Sequence, residues 1–150
     1  MDPRDFLRQA QELAEGKPAA DFGKRAVDCR TAISRAYFAG FDVAVAFLTS
    51  MSIALRRGPD SHKDVQRCLE NCDDPEVMRV GAELSDLRTS RNSADYHLDR
   101  TDVENRKSAL FLINKAEATI RALDTCTSPS RRSAIAAAVL AYRKNVLRLP

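Results

Sequence analysis

Apolar side chains recur at alternating three- and four-residue steps through much of the chain, which is the spacing of one face of a helix. Two series show this most clearly: Phe22, Ala26, Cys29, Ile33, Ala36, Gly40, Ala44 and Phe47, and then Leu110, Ile113, Ala116, Ile120 and Leu123. No stretch shows the sustained alternation at every second residue that is typical of a half-buried strand. The pattern therefore predicts an all-α protein.

Capping residues and prolines indicate where these helices begin. A cap precedes a first-turn proline at Asp2-Pro3, Asp74-Pro75 and Ser128-Pro129, and capping boxes are indicated by Ser61 with Asp64 and by Thr101 with Glu104. We expect helices near residues 3–15, 21–55, 61–72, 75–97, 101–125 and 129–147. Short links between long amphipathic helices favour antiparallel neighbours, so the predicted fold is an up-and-down helical bundle with an extra C-terminal helix.

The helix predicted at 75–97 carries a stripe that changes from apolar to charged without leaving its face. At about 100° per residue, the stripe contains Val77, Gly81, Leu84, Arg88, Arg91 and Asp95. Charged groups on a core-facing side are costly unless they pair with each other or meet a ligand. The sequence therefore predicts either a structural ion-pair network or a functional site at this place.

Both interpretations of the charged stripe stay open. Arg91 and Asp95 are four residues apart and Arg88 can join them, so an ion-pair network could hold this helix against its neighbour. The hydroxyl groups of Ser34 and Tyr37, on the predicted second helix, could hydrogen-bond into that network. Alternatively, the two arginines could clamp phosphate oxygens, because each guanidinium is permanently charged and binds in a bidentate manner.

The length of 150 residues is typical of a single domain with a real core. The longest uncharged run, residues 43–55, is too short to span a bilayer, and the first residues lack the pattern of a signal peptide. We therefore expect a cytoplasmic protein with no membrane partner and with reduced cysteines. The cysteines lack the paired C-x-x-C spacing of a zinc site, so neither a metal nor another cofactor is expected. They are Cys29, Cys68, Cys72 and Cys126.

The positive charge of the chain is concentrated at its C-terminal end. Residues 129–150 contain five basic side chains and no acidic one: Arg131, Arg132, Arg143, Lys144 and Arg148. A basic helix on a near-neutral body could contact nucleic acid, or it could simply be a solvated helix face.

Three motifs in order resemble the HEPN family of small helical domains. They are S-R-A-Y-F-A-G-F at residues 34–41, a histidine at the start of the next predicted helix, His62, and R-N-S-A-D-Y at residues 91–96. The closest branch is the one marked by S-R-A-Y-Y-A-x-F and R-x-x-A-D-Y, and the resemblance extends from about Phe6 to Leu123. It implies a HEPN-like bundle over residues 1–127, with residues 128–150 as an additional basic helix packed on the same domain.

The resemblance also implies a chemistry. Many members of the family cleave RNA without a metal ion through an R-x(4–6)-H motif, and here Arg91 and His97 have five residues between them. By this resemblance Arg91 would stabilise charge in the transition state and His97 would be the general acid and base. The expected ligand-binding or network residues around them are Arg88, Asn92, Asp95, Tyr96, Ser34 and Tyr37.

A straight helix does not bring these two catalytic candidates together. A step of six positions on a helix places His97 about 120° around the axis from Arg91 and ~9 Å along it. They converge only if the helix ends near Tyr96, or if a second protomer supplies the partner residue. Family members commonly dimerise with their motifs facing each other, so a homodimer is expected.

The family resemblance suggests a toxin or defence component that acts on RNA, or on a nucleotide, and that is restrained by a partner nucleotidyltransferase. The competing class is a non-catalytic helical module that binds a nucleotide, nucleic acid or protein. A third class is a nucleotide-sensing accessory domain. His62, at the start of a helix, is expected to be neutral and to have a capping or packing role.

Overall fold

The computed structural model describes residues 1–16 and 22–149. These residues contain six α-helices and no strand, which confirms the predicted all-α fold. The helices are α1 (Arg4–Glu15), α2 (Phe22–Ser50), α3 (Ser61–Glu70), α4 (Pro75–Tyr96), α5 (Arg106–Thr125) and α6 (Pro129–Tyr142). Residue 21, predicted as the start of the second helix, and the side chain of Phe22, predicted in its apolar series, lie outside the described residues.

The long helix α2 lies at the centre of the bundle and contacts α1, α3, α4 and α5. Its N-terminal half lies beside the end of α4, where Ser34 reaches Asp95, and its middle lies beside Leu84 near the centre of α4. The two helices therefore run antiparallel. Gly40 permits their close approach, since a Cβ added there would lie 3.1 Å from Leu84 Cδ2.

Two of the predicted helix starts are made as expected. The Asp74 carboxylate accepts a hydrogen bond from the Val77 amide at 3.1 Å, and the Ser128 hydroxyl accepts one from the Arg131 amide at 3.4 Å. Both residues immediately precede a proline, so the missing proline N–H costs the helix nothing. Local sequence alone fixes these two boundaries.

Helix α2 ends at Ser50, whereas its apolar pattern predicted an end near residue 55. The chain reverses there through Ser52, whose φ of 62° lies in the left-handed region. The Ile53 amide then donates to the Leu48 carbonyl at 3.3 Å, and the Ile53 side chain returns to the core. The apolar residues after Ser52 thus belong to a loop rather than to a helix, and of these residues Ile53 is buried while Ala54 is exposed.

The predicted capping box of Thr101 and Glu104 does not form. Thr101 begins a 3-10 turn, Thr101–Val103, and Asn105 caps α5 by accepting from the Ser108 amide at 2.8 Å. The Glu104 carboxylate instead accepts two hydrogen bonds from Arg30 on α2, at 2.8 and 2.6 Å. The Glu104 side chain is therefore engaged in a tertiary ion pair with Arg30 and is not part of a helix cap.

The C-terminal helix packs on the same bundle. Ile135 and Val139 are buried, and a π-helical turn, Arg143–Leu147, follows α6. Within that turn the side chain of Arg143 is buried against Asp64 of α3, with Nη1 2.9 Å from Oδ1. Val146, in the same turn, is exposed.

One segment, Gly23–Ser50, is long and apolar enough to cross a membrane by length and composition alone. It is also the central helix of the bundle, and 56% of its most apolar window is buried. Central helices of helical bundles share this character, so the segment is weak evidence for a membrane span.

Candidate functional site

Arg91 is held on the surface between α2 and α4 by a carboxylate, two polar groups and two aromatic rings. Its Nε lies 2.6 Å from Asp95 Oδ2, an ion pair without an aligned hydrogen bond. Its terminal nitrogens donate to Asn92 Oδ1 at 3.2 Å and to the Tyr96 hydroxyl at 3.3 Å. The guanidinium carbon lies 5.2 Å from the ring centre of Phe38 and 5.1 Å from that of Tyr96. Its orientation is therefore fixed.

Helix α2 contributes to this arrangement through Ser34. The Ser34 hydroxyl donates to Asp95 Oδ2 at 3.2 Å, the same oxygen that faces Arg91. The Arg91 and Asp95 side chains are 18% and 25% exposed, so the pair is only partly buried. Ser34, Asp95 and Arg91 thus form a polar connection between the two helices, whereas the network interpretation also included Arg88 and Tyr37.

Arg88 does not join the ion pair of Arg91 and Asp95. In the described part of the chain it makes no ion pair or hydrogen bond, and its side chain is half-buried. It lies near His62, where its charge adds to the effect of burial in lowering the pKa of that imidazole, and near Tyr37, where its charge only partly opposes the effect of burial in raising the pKa of the phenol. Arg88 is therefore a cation without an anionic partner among these residues, as a phosphate-binding residue would be.

Tyr37 and His62 form a second polar contact behind the arginines. The Tyr37 hydroxyl lies 2.6 Å from His62 Nδ1, and the His62 ring packs against Phe41 with ring centres 4.4 Å apart. Burial raises the pKa of Tyr37 to about 12, and burial together with the two nearby arginines lowers the pKa of His62. The structure thus favours a neutral His62 in a packing role.

His97 lies outside the helix that carries Arg91. Helix α4 ends at Tyr96, and His97 is exposed with an irregular backbone, φ −114° and ψ 84°. The end of the helix meets one of the two conditions for convergence of Arg91 and His97. In the described residues, however, no side-chain contact joins them, and the guanidinium of Arg91 already contacts Asp95 and Tyr96.

Arg30 is a residue of this region that the sequence did not reveal. Its buried guanidinium reaches from α2 to the end of α4 and to Glu104. The hydrogen bonds from its terminal nitrogens to main-chain carbonyls measure 2.8–3.3 Å and go to Ser93, Ala94, His97, Leu98 and Arg100. The sequence signals were the position of Arg30 next to Cys29 of the apolar series and its place on the same helix face as Ser34 and Tyr37.

The basic C-terminal segment does not form a free cationic surface. Arg131 pairs with Asp74 and Glu76, and Arg143 is buried against Asp64. Arg132 reaches the Ser50 hydroxyl and packs over Phe47. Of this segment, only Lys144 and Arg148 are exposed and without an ion pair among the described residues. Most of the positive charge that would attract nucleic acid is therefore already engaged within the protein.

The four cysteines are buried and free. Burial raises the pKa of each thiol, so each favours the protonated form, which is a poor metal ligand. Within residues 1–16 and 22–149, no group of three or more histidine, cysteine, aspartate or glutamate side chains could hold a metal ion.

No protein-family model matches the chain, and neither a curated protein nor a solved structure matches it. The likeness to the HEPN family therefore rests on the three sequence motifs. The structure brings the first and third motifs together at Ser34 and Asp95, and it brings the first motif to His62 through Tyr37.

Proposed function

We propose that this chain is a HEPN-like cytoplasmic protein that cleaves RNA without a metal ion. In this proposal it is a toxin or defence component that a partner nucleotidyltransferase restrains. The observation that carries the proposal is the end of α4 at Tyr96, which places His97 in solvent beyond the helix that fixes Arg91. An exposed histidine can exchange protons with a bound ligand near neutral pH.

The proposed chemistry uses the 2′-hydroxyl of RNA as the internal nucleophile. His97 takes the proton of that hydroxyl and returns one to the leaving 5′-oxygen, while an arginine stabilises the charge on the phosphate oxygens. Arg88 is the cation best placed to meet a phosphate, because it has no ion pair among the described residues. Arg91 contributes once the phosphate replaces Asp95 at its guanidinium.

A homodimer completes this site in the proposal. Arg91 and His97 of one protomer have no side-chain contact, so a facing second copy would supply the missing partner of each. Tyr96 and Leu98, which flank His97, are 66% and 78% exposed. Large exposed apolar side chains next to a site are typical of an interaction surface.

A second candidate function is a non-catalytic module that binds a nucleotide, RNA or a protein. The saturation of Arg91 by Asp95, Asn92 and Tyr96 supports it, because a guanidinium so engaged already has the partners that a phosphate would supply. In that case Arg88 and the exposed Tyr96 would bind the ligand, and His97 would have no chemical role.

A cleavage assay separates the two functions. Purified protein is incubated with single-stranded RNA, and with DNA of the same sequence, in an excess of EDTA. The ribonuclease proposal predicts RNA fragments with 2′,3′-cyclic phosphate ends and intact DNA, because only RNA has the internal nucleophile. Binding of RNA without cleavage supports the module. A protein that neither binds nor cleaves RNA would contradict the ribonuclease and an RNA-binding module, and would leave a module that binds a nucleotide or a protein.

A further inference from the structure

The turn that presents His97 is held by one side chain from another helix, that of Arg30. The last carbonyl groups of an α-helix have no partner within the helix, and their partial charge is negative. In α4 the Ala94 carbonyl is one of these and accepts a hydrogen bond from Arg30 Nη1 at 2.9 Å, and the Ser93 carbonyl, which also accepts from the His97 amide, accepts one from the same nitrogen at 3.2 Å. The positive charge of Arg30 at this position stabilises the C-terminal end of α4.

The same guanidinium also binds the chain after the helix. Arg30 Nη1 donates to the His97 carbonyl at 3.2 Å, and Nη2 donates to the carbonyls of Leu98 and Arg100 at 3.3 and 2.8 Å. The Arg100 amide in turn donates to the His97 carbonyl at 3.1 Å. Arg30 thus determines the path of the main chain on both sides of the His97 side chain.

Arg30 is itself fixed by Glu104, which lies before α5. One carboxylate oxygen, Oε1, accepts from both Nε and Nη2 of Arg30 at 2.8 and 2.6 Å. The Arg30 side chain is 10% exposed, so this charge has little access to water and depends on its partners. The planar fork of an arginine has five N–H donors and reaches all these acceptors when some hydrogens are shared between two of them, whereas a lysine has three donors at a single point.

From this geometry we infer that Arg30 is a positioning residue for His97. It ends α4 at Tyr96 and holds the following turn, so that the imidazole stands clear of the helix. Ser34, one helical turn further along α2, holds Asp95 and through it Arg91. The spacing of these two residues on α2 therefore sets the position of the histidine relative to the arginine. The catalytic consequence of this inference rests on the proposed function, but its structural content does not.

Backbone amide exchange in the folded full-length chain tests the inference directly. The reporters are the amides of His97 and Arg100, which close the turn, and the reference is the amide of Ile113 in the middle of α5. In Arg30→Lys we expect the two reporters to exchange about tenfold faster or more, relative to Ile113, because charge-assisted hydrogen bonds to the turn are lost. Arg121→Lys, at an exposed salt bridge on α5, is the matched control and should change neither ratio.

If Arg30→Lys does not fold, Glu104→Gln provides the same test. It leaves Arg30 in place but removes the charge that orients it, so the turn should open in the same direction and to a smaller extent. In the folded variant, the exchange rates of the two reporter amides and of Ile113 could all rise by the same factor. That result would mean that Arg30 only stabilises the whole protein, and the inference would be wrong.

Activity gives a second and separate readout. If the wild-type protein cleaves RNA, Arg30→Lys should lower kcat about tenfold or more with KM little changed, since the histidine is displaced while the phosphate-binding arginines remain. An unchanged kcat would contradict the positioning role. If the wild-type protein cleaves no RNA, the ribonuclease proposal fails, and the amide-exchange ratio alone decides the inference about Arg30.

Discussion

Asp64 and Arg143 form an ion pair 2.9 Å long in which both side chains are almost fully buried, at 2% and 3% exposure. The pair joins α3 to the turn after α6. Arg143 also donates to the Ala54 carbonyl at 2.6 Å, and Asp64 Oδ2 accepts from the Arg56 amide at 2.7 Å. The buried charge of Arg143 thus attaches the C-terminal segment to the bundle. In the sequence, Arg143 is one of the five basic residues of this segment.

Replacement of Arg143 by alanine should lower the free energy of unfolding by about 3 kcal/mol. The reason is that the Asp64 carboxylate would stay buried without a compensating charge. Urea denaturation of the variant measures the loss. Lys144→Ala, which removes an exposed neighbouring charge, is the control and should change stability by less than about 0.5 kcal/mol.

The double variant Asp64→Leu with Arg143→Met distinguishes a penalty for an unpaired charge from a general loss of packing. It removes both charges and keeps apolar volume, so it should recover most of the lost stability. If the double variant is as unstable as Arg143→Ala, the buried charge is not the cause.

The connection from Ser34 through Asp95 to Arg91 should contribute less than the buried pair. Asp95→Ala should cost about 1–2 kcal/mol, because the pair is partly exposed and Arg91 keeps its contacts with Phe38 and Tyr96. Thermal and urea denaturation check this value. Asp99→Ala is the control, since Asp99 is exposed and has no ion pair among the described residues. Melting of Asp95→Ala at the wild-type temperature would mean that the connection is fully solvated.

The burial of His62 beside two arginines should make stability depend on pH. Burial and two nearby arginines, Arg88 and Arg91, lower the pKa of His62 in the folded protein below its usual value of 6.5. The unfolded chain therefore binds the proton at a higher pH than the folded protein does. The contribution of neutral His62 to the free energy of unfolding is complete above about pH 6.5. It decreases as the pH falls below that value toward the pKa of His62 in the folded protein.

Denaturation at a series of pH values tests this dependence. Between about pH 7.5 and pH 5, the wild-type protein should lose more stability than His62→Gln, which has no titrating ring. His97→Gln, in which the only other histidine of the chain is replaced, is the comparison variant. Identical curves for the wild-type protein and His62→Gln would show that His62 titrates alike in the folded and unfolded states.

A composite site requires that the protein be a dimer. Analytical ultracentrifugation at micromolar concentration should show a homodimer, and Leu98→Asp should dissociate it by placing a charge in the proposed interface. Val146→Asp is a matched control, because Val146 is similarly exposed but lies in the turn after α6. A wild-type monomer at these concentrations would exclude a site shared between two copies.

The parts of the fold that sequence predicts here are those that local chemistry determines. Asp74 and Ser128 stand before prolines and cap their helices as expected, and the apolar series of α5 is buried from Ile113 to Leu123. The end of α2 could not be predicted, because the apolar residues after Ser52 fit the end of a helix as well as a loop that buries one of them, Ile53.

The candidate site was predicted only in part for a similar reason. The pairing of Arg91 with Asp95 follows from a four-residue spacing, and the structure contains it. Arg30 and Glu104 are far apart in sequence, and their contact depends on the packing of α2 beside the start of α5. The burial of Arg143 could have been predicted, because it lies four residues after the buried Val139 and so on the same helix face. Its place among other basic residues suggested a solvated side chain instead.

The rate of RNA cleavage by His97→Ala, compared with that of His62→Gln, tests the central proposal most directly. The two variants replace the only two histidines of the chain, of which one is exposed beyond α4 and the other hydrogen-bonded to Tyr37. The proposal predicts that His97→Ala, folded and dimeric, cleaves RNA in EDTA at least roughly 100-fold more slowly than the wild-type protein. His62→Gln should stay within a few-fold of the wild-type rate at neutral pH. Cleavage that continues at the wild-type rate in His97→Ala would contradict the proposal.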